Sequence, residues 1–421
     1  MTKTGDKVKV LTDKEEFVGV LMPRPDILDE DVTIVKLDNG YNIGIDNNKI
    51  KKIELLEAYV PKKPVKTSIK PKDYLPNVTI ISTGGTISSK IDYRTGGVYA
   101  DYTAEDFIAM MPDLASIANL KANKLMSVMT EDFTSKDWIQ MAKGIEKELN
   151  EGADGVVVTM GTDTLHIAAA ALSFLLKDLN KPVVITAAQR SIDRGSSDAY
   201  MNLFCAITTA AKFDAAEVMV CMHGTTNDDY CLLINGAKVR KMHTSRRDAF
   251  RPINDLPIAK ISENGDIKIL NPNYNKKSEG KVKAETKFEE KVALIIIYPG
   301  MDMNIIDFYV NEGYKGIVLA ATALGHVPTK LWPHIKKAID KKIPVAVASQ
   351  TLYGRVHPLV YANLRQLSIK LGCIFVEDML PETAYVKLGY VLANFKDVKA
   401  KMLENMAGEI TDRSDEKTFL Y

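Results

Sequence analysis

From about residue 76 onward, short and wholly apolar runs alternate with amphipathic stretches, and this alternation constrains the fold more than any other feature of the chain. Val78–Ser82 is a buried-type strand that runs into a Gly-Gly turn. Val156–Thr159 is a second, followed by the amphipathic run Thr164–Lys177, and Pro182–Thr186, Asp198–Lys212 and Glu217–Cys221 continue the pattern. Strands that are apolar on both faces and are separated by helix-length segments form mostly parallel, doubly wound sheets, because the crossover helices cover both faces. Asn271–Glu290 is polar and rich in Lys and Glu, an exposed connection. Beyond it the α/β texture resumes, with strands at Val292–Tyr298, Gly316–Ala320, Ile343–Ala348 and Cys373–Val376. The helices between them are expected at Met303–Glu312, Lys330–Lys341 and Pro358–Leu371. Two α/β domains are thus expected, at residues 76–285 and 290–421.

Residues 1–60 read differently. Short β-segments at Lys7–Leu11, Glu16–Met22, Val32–Leu37 and Tyr41–Ile45 are punctuated by Arg24-Pro25-Asp26 and the hairpin-type Asp38-Asn39-Gly40. A small β-barrel is expected there. Residues 61–75, which open with Pro61-Lys62-Lys63-Pro64, form a Lys/Pro-rich linker.

Composition removes several function classes. Fifty-five basic residues against 54 acidic ones leave a net charge of +1, which argues against a general polyanion binder. Four cysteines without a C-x-x-C pair and six scattered histidines disfavour a disulfide framework and a structural zinc site, and fit a reduced cytoplasmic compartment. The opening MTKTGDKVKV has no apolar core of a signal peptide, and the longest apolar runs are strand-sized, so no membrane association is expected.

Three segments could carry chemistry. Ile80-Ile81-Ser82-Thr83-Gly84-Gly85-Thr86-Ile87 delivers Thr86 past a Gly-Gly turn to the carboxyl edge of the sheet, where open α/β sheets bind ligands. A plain βα turn or a phosphate cradle is the alternative, although the missing Gly-Lys-Ser/Thr ending speaks against a Walker A loop. Met160-Gly161-Thr162-Asp163-Thr164 likewise follows a buried strand, and it reads equally as a helix N-cap. In Val239-Arg240-Lys241-Met242-His243-Thr244, Lys241 is either a solvated charge or a lysine desolvated against Asp163 that moves protons for a threonine hydroxyl. An Asp-Lys-Thr group is one of the few ways to activate a threonine without histidine.

Together the T-G-G-T-I at 83–87, the G-T-D-T at 161–164 and the lysine of R-K-M-H-T at 240–244 resemble, in order, the signatures of the bacterial-type L-asparaginase/glutaminase family, over roughly residues 76–395. The resemblance implies two asparaginase-like, doubly wound α/β domains. It implies Thr86 as the acyl-forming nucleophile and Thr162, Asp163 and Lys241 as the second catalytic group. Substrate binding then falls to Gly85, Gly161 and the hydroxyl-acid pair Thr130-Glu131. The tyrosine that assists in this family has two counterparts here, Tyr93 and Tyr99, and neither aligns cleanly. His223 reads either as a crevice residue or as a hydrogen-bonded core histidine, and Gly325-His326 as a segment that could face a partner protein.

A leading β-module and linker exceed what an asparaginase needs. The layout, with Gly5-Asp6-Lys7-Val8, Gly19-Val20-Leu21-Met22-Pro23 and Lys36-Leu37-Asp38-Asn39-Gly40-Tyr41, is similar to the D-subunit family of archaeal glutamyl-tRNA(Gln) amidotransferases. That resemblance implies glutamine hydrolysis with ammonia passed to the amidotransferase E subunit, which amidates Glu-tRNA(Gln) using ATP and magnesium. This chain then needs no cofactor, and contacts the tRNA mainly through the partner. It implies a homodimer through the asparaginase-like domains, joined by two partner subunits into a heterotetramer. A free-standing L-asparaginase with an appended β-domain, and a non-catalytic RNA- or protein-binding module, are the alternatives.

Overall fold

The computed structural model describes residues 2–22, 31–39, 41–59, 71–85, 111–192 and 196–421, and the backbone alone of 89–91 and 98–100. Near the N-terminus, β1 (Lys7–Thr12), β2 (Glu16–Leu21), β3 (Val32–Leu37), β4 (Asn42–Asp46) and β5 (Ile50–Glu57) form an antiparallel sheet in the order β4-β3-β2-β1-β5. Alternation turns Val8 and Val10 inward, where they pack with Val35 and Ile45. Strand β5 has no counterpart among the expected segments. Its pairs Lys51-Lys52 and Leu55-Leu56 break the two-residue period, and it sits at the sheet edge with register shifts against β1, where Leu55 and Leu56 remain exposed.

The first α/β unit contains β6 (Asn77–Ser82), β7 (Asn119–Lys124), α1 (Ser135–Asn150), β8 (Gly155–Thr159), α2 (Leu165–Leu175), β9 (Val183–Thr186), α3 (Ala199–Lys212) and β10 (Val218–His223). It continues through β11 (Tyr230–Asn235), β12 (Val239–Lys241), β13 (Phe250–Pro252), β14 (Ala259–Ser262) and β15 (Ile267–Ile269). Eight of these strands make one sheet, ordered β15-β14-β11-β10-β9-β8-β6-β7. Pleating explains the two-sided apolar runs. Val156 and Val158 join the core under α1 and α2, whereas Val157, with Ile80 and Val184, packs under α3.

Only the β7 to β10 half of this sheet is parallel; β10, β11, β14 and β15 pair antiparallel. Residues 224–229 join β10 to β11, and so short a link cannot hold a crossover helix. Helix α1 is likewise unexpected, although Thr134 and Asp137 form a reciprocal capping box at its start.

The second unit has four parallel strands, β16 (Val292–Ile296), β17 (Gly316–Ala321), β18 (Val345–Ser349) and β19 (Ile374–Phe375). Around them lie α4 (Asn304–Asn311), α5 (Trp332–Asp340) and α6 (Pro381–Asn394). The expected helix at Pro358–Leu371 begins only at Ala362 and widens into a π-helix from Gln366, because Tyr361 is extended. The unanticipated α6 is buried on nearly every side, which erases an amphipathic period. It packs on α2, with Phe174 and Tyr390 stacked at 6.0 Å, so one apolar core runs through both α/β units. Among the described residues, no helix is long and apolar enough to cross a membrane.

Candidate active site

The carboxyl ends of β6 and β8 lie side by side, with Ser82 opposite Thr159 in the parallel register. Thr83 continues the contact past the strand: its N–H and its hydroxyl donate to the Thr159 carbonyl at 3.0 and 3.1 Å. The turn that follows then crosses the other strand end at a distance only glycine allows. Gly85 has φ +83°, and a Cβ there would lie 2.1 Å from the Gly161 nitrogen. The two sequence motifs therefore meet as backbone, and neither is an isolated turn.

Lys241 reaches this point from β12. Successive residues of an extended strand point to opposite sides, and the polar residues here use both. Lys238, just before the strand, is fully buried and donates to Asp378 at 2.6 Å, and Arg240 pairs with Glu382 at 2.5 Å in the first turn of α6. Those two side chains tie the strand to the second α/β unit. Lys241 turns the other way, where its Nζ donates to the Thr162 hydroxyl at 2.8 Å and to the Asp163 carboxylate at 2.6 Å. Its side chain is 9% exposed while Asp163 is 64% exposed, so the lysine is sheltered and the carboxylate faces the opening. Thr162 Oγ1 accepts from Lys241, and its own hydrogen points toward Asp163 over 3.4 Å. A hydroxyl so placed can pass a proton to or from a neighbouring hydroxyl or water.

These groups line one cavity of about 180 Å³. Of the residues singled out from sequence, Gly85, Thr130, Glu131, Gly161, Thr162, Asp163 and Lys241 all border it. The Thr164 hydroxyl donates to the Thr130 carbonyl at 2.6 Å, which fastens the hydroxyl-acid segment to the second motif. Thr86 and Tyr93 lie outside the described residues, as does the side chain of Tyr99. Gln189, Met129, Thr244 and Ser245 also line the cavity and were not singled out. Gln189 had a signal: it follows the buried strand β9 as Gly85 follows β6.

His223 is the hydrogen-bonded core histidine of the two readings, fully buried, with Nδ1 2.6 Å from Asn202 Oδ1 and Nε2 2.9 Å from Asp228 Oδ1. The His326 ring packs against Tyr361 at 5.1 Å. His166, in the first turn of α2, carries an unexpected property. Burial, with the cations Arg240 and Lys241 nearby, lowers its pKa from 6.5 to about 4. It is a neutral imidazole at ordinary pH, and its Nδ1 has no hydrogen-bond partner among the described residues. No group of three or more His, Cys, Asp or Glu among the described residues is arranged to hold a metal ion.

Comparison with known proteins gives this geometry its family. Residues 77–275 match the N-terminal asparaginase family model, 291–402 the glutaminase/asparaginase C-terminal domain, and 2–56 the GatD N-terminal domain. The D subunit of the Pyrococcus furiosus glutamyl-tRNA(Gln) amidotransferase is 52% identical over 99% of this chain and 97% of its own. This chain belongs to that D-subunit family. As a member it is an amidotransferase enzyme built on an asparaginase-family amidohydrolase body. The corresponding protein of Methanopyrus kandleri is 44% identical over 96% of this chain and 91% of its own length. In three dimensions, the thermostable L-asparaginase from Thermococcus kodakarensis superposes with a TM-score of 0.71 at 27% identity, covering 80% of this chain and 100% of the asparaginase. An L-asparaginase I from Vibrio cholerae gives 0.70 at 27% identity, over 80% of this chain and 99% of its own. The expected α/β architecture, an asparaginase-like pair behind a small β-domain, is therefore the architecture of this protein.

Proposed function

We propose that this protein hydrolyses glutamine with Thr86 as nucleophile and supplies the ammonia to its partner, the amidotransferase E subunit, which converts Glu-tRNA(Gln) to Gln-tRNA(Gln). The observation that carries the reading is the Thr162–Lys241–Asp163 contact, made in the cavity that Gly85 borders. Thr86 follows Gly85 directly in sequence. In this scheme its hydroxyl attacks the side-chain amide carbon and its proton passes to the Thr162–Lys241–Asp163 group. The C–N bond breaks as ammonia takes up a proton, and water then cleaves the glutamyl ester. Backbone N–H groups of the two strand-end turns, Gly85 and Gly161 among them, hold the oxyanion, each donor contributing about 3 kcal/mol. The hydroxyl-acid pair Thr130-Glu131 holds the substrate's α-carboxylate and amine, with Asp163 contributing, and Glu131 and Asp163 are both exposed to the opening.

ATP and magnesium belong to the partner in this reading, as does most contact with the tRNA. The same reading makes the protein a homodimer through its asparaginase-like domains, and a heterotetramer with two copies of the partner, in the cytoplasm. It takes residues 1–60 as one domain, 61–75 as linker, and 76–285 and 290–421 as the paired α/β domains.

The test is ammonia release from glutamine and from asparagine by the chain alone, and then with its partner and Glu-tRNA(Gln), beside a Thr86→Ala variant. Glutamine hydrolysis that rises with partner and tRNA, and disappears in the variant, is the expected result. Rapid asparagine hydrolysis indifferent to both additions refutes it and leaves a free asparaginase.

A further inference from the structure

We infer that His243 is a positioning residue for amide hydrolysis: its imidazole holds the turn after β12 so that the hydroxyls of Thr244 and Ser245 stand on the cavity wall and meet the substrate. The assignment deepens the glutaminase reading above and rests on it. Residues 242–249 join β12 to β13 and begin directly after Lys241. Thr244 and Ser245 border the same cavity as Thr162, Asp163 and Lys241. Both are exposed, and neither hydroxyl is bonded to another described residue. Each therefore keeps its donor and its acceptor capacity for a ligand.

A single side chain holds these two residues in place. The N–H groups of Ser245 and Arg246 both donate to His243 Nδ1, each at 3.1 Å. Among the described residues, residues 243–245 make no other hydrogen bonds. An asparagine or aspartate oxygen ordinarily closes such a turn, accepting from the N–H two residues on. Here the ring nitrogen takes that place, so Nδ1 is the acceptor and Nε2 carries the ring proton. Without the imidazole, the tip of the turn loses its only closure.

The two ends of the turn are fixed without His243. Lys241 stands opposite Phe250 in the β12–β13 ladder, and the Met242 N–H donates to the Ala249 carbonyl at 2.7 Å. On the far side, Arg246 donates to both oxygens of the buried Asp248, at 2.8 and 2.9 Å, and Arg251 donates to the same carboxylate at 2.7 Å. Lys241 has its own bonds to Thr162 and Asp163. Loosening the tip therefore disorders the hydroxyl wall and leaves the proton-transfer group where it is. A loss of that kind weakens ground state and transition state alike, so it appears in KM rather than in kcat.

The experiment follows ammonia release from L-glutamine by the complete amidotransferase complex with Glu-tRNA(Gln). It compares wild type, His243→Ala, His243→Asn, the double variant Thr244→Val/Ser245→Ala, and His243→Ala added to that double variant. His243→Ala raises KM by about fivefold or more, the factor of one hydrogen bond to substrate, and leaves kcat within about threefold. His243→Asn, whose Oδ1 stands where Nδ1 stood, returns KM to within about twofold of wild type. The double variant raises KM at least as far as His243→Ala does. Adding His243→Ala to it changes KM by less than about twofold, because the imidazole then has no hydroxyl to place. An unchanged KM in His243→Ala, a loss confined to kcat, no recovery with asparagine, or the same penalty in the double-variant background overturns the assignment and leaves the glutaminase reading standing. A wild-type complex that releases no ammonia from glutamine overturns both.

Discussion

Replacing Lys238 with methionine removes the cationic half of an ion pair in which Lys238 is fully buried and Asp378 nearly so. Breaking such a pair from one side leaves a charge inside the protein without its counter-ion, which costs about 3–5 kcal/mol. Asp378 keeps two other donors, the Thr411 N–H at 3.0 Å and the Thr411 hydroxyl at 2.5 Å, so about 3 kcal/mol is the expected loss. The pair joins β12 to the second α/β unit, and Lys241 lies three residues further on, so ammonia release falls together with stability. Equilibrium urea unfolding of Lys238→Met, Asp378→Asn and the double variant forms a cycle that isolates the pair. The double variant, with no isolated charge, is expected to be at least about 1 kcal/mol more stable than the sum of the single losses predicts. A single-variant loss below about 1 kcal/mol, or strict additivity, would show that the buried pair does not hold β12.

Three further outcomes follow from the site. His166 takes up a proton near pH 6.5 when unfolded and only at about pH 4 when folded, so its contribution to stability is intact above 6.5 and is lost as pH falls toward 4. The loss totals about 3 kcal/mol, and His166→Gln should flatten the pH profile of unfolding in that window; an unchanged slope refutes the assignment. Gly85→Ala places a Cβ 2.1 Å from the Gly161 nitrogen in a backbone with φ +83°, and should cost at least about 2 kcal/mol in thermal or urea unfolding and abolish ammonia release. Lys241→Met removes both contacts to Thr162 and Asp163 and should lower kcat by about a hundredfold or more, with Lys241→Arg failing to restore it because a planar fork cannot take the place of a compact ammonium.

Periodicity made much of this protein legible before any coordinates. Runs such as Val156–Thr159 are apolar on both faces only because helices cover both, so the α/β architecture and the strand ends at Gly85 and Gly161 follow from local pattern. The contact of Lys241 with Thr162 and Asp163 was expected from the resemblance of the three motifs to the asparaginase signatures, whereas the local pattern left Lys241 either solvated or sheltered. Helix α6 was not, since burial on every side leaves no polar face to set a period. The antiparallel half of the sheet also escaped, since direction of pairing depends on the length of connections as well as on the composition of strands. What only the tertiary structure decided is pairing between distant charges. Lys238, Arg240 and Lys241 look alike in sequence, yet two of them clamp the second α/β unit and one enters the cavity. The same holds for Gln189, whose Nε2 is buried by folding without an acceptor among the described residues. Patterns of apolar residues report which faces are buried; they carry no record of which carboxylate a buried cation will meet.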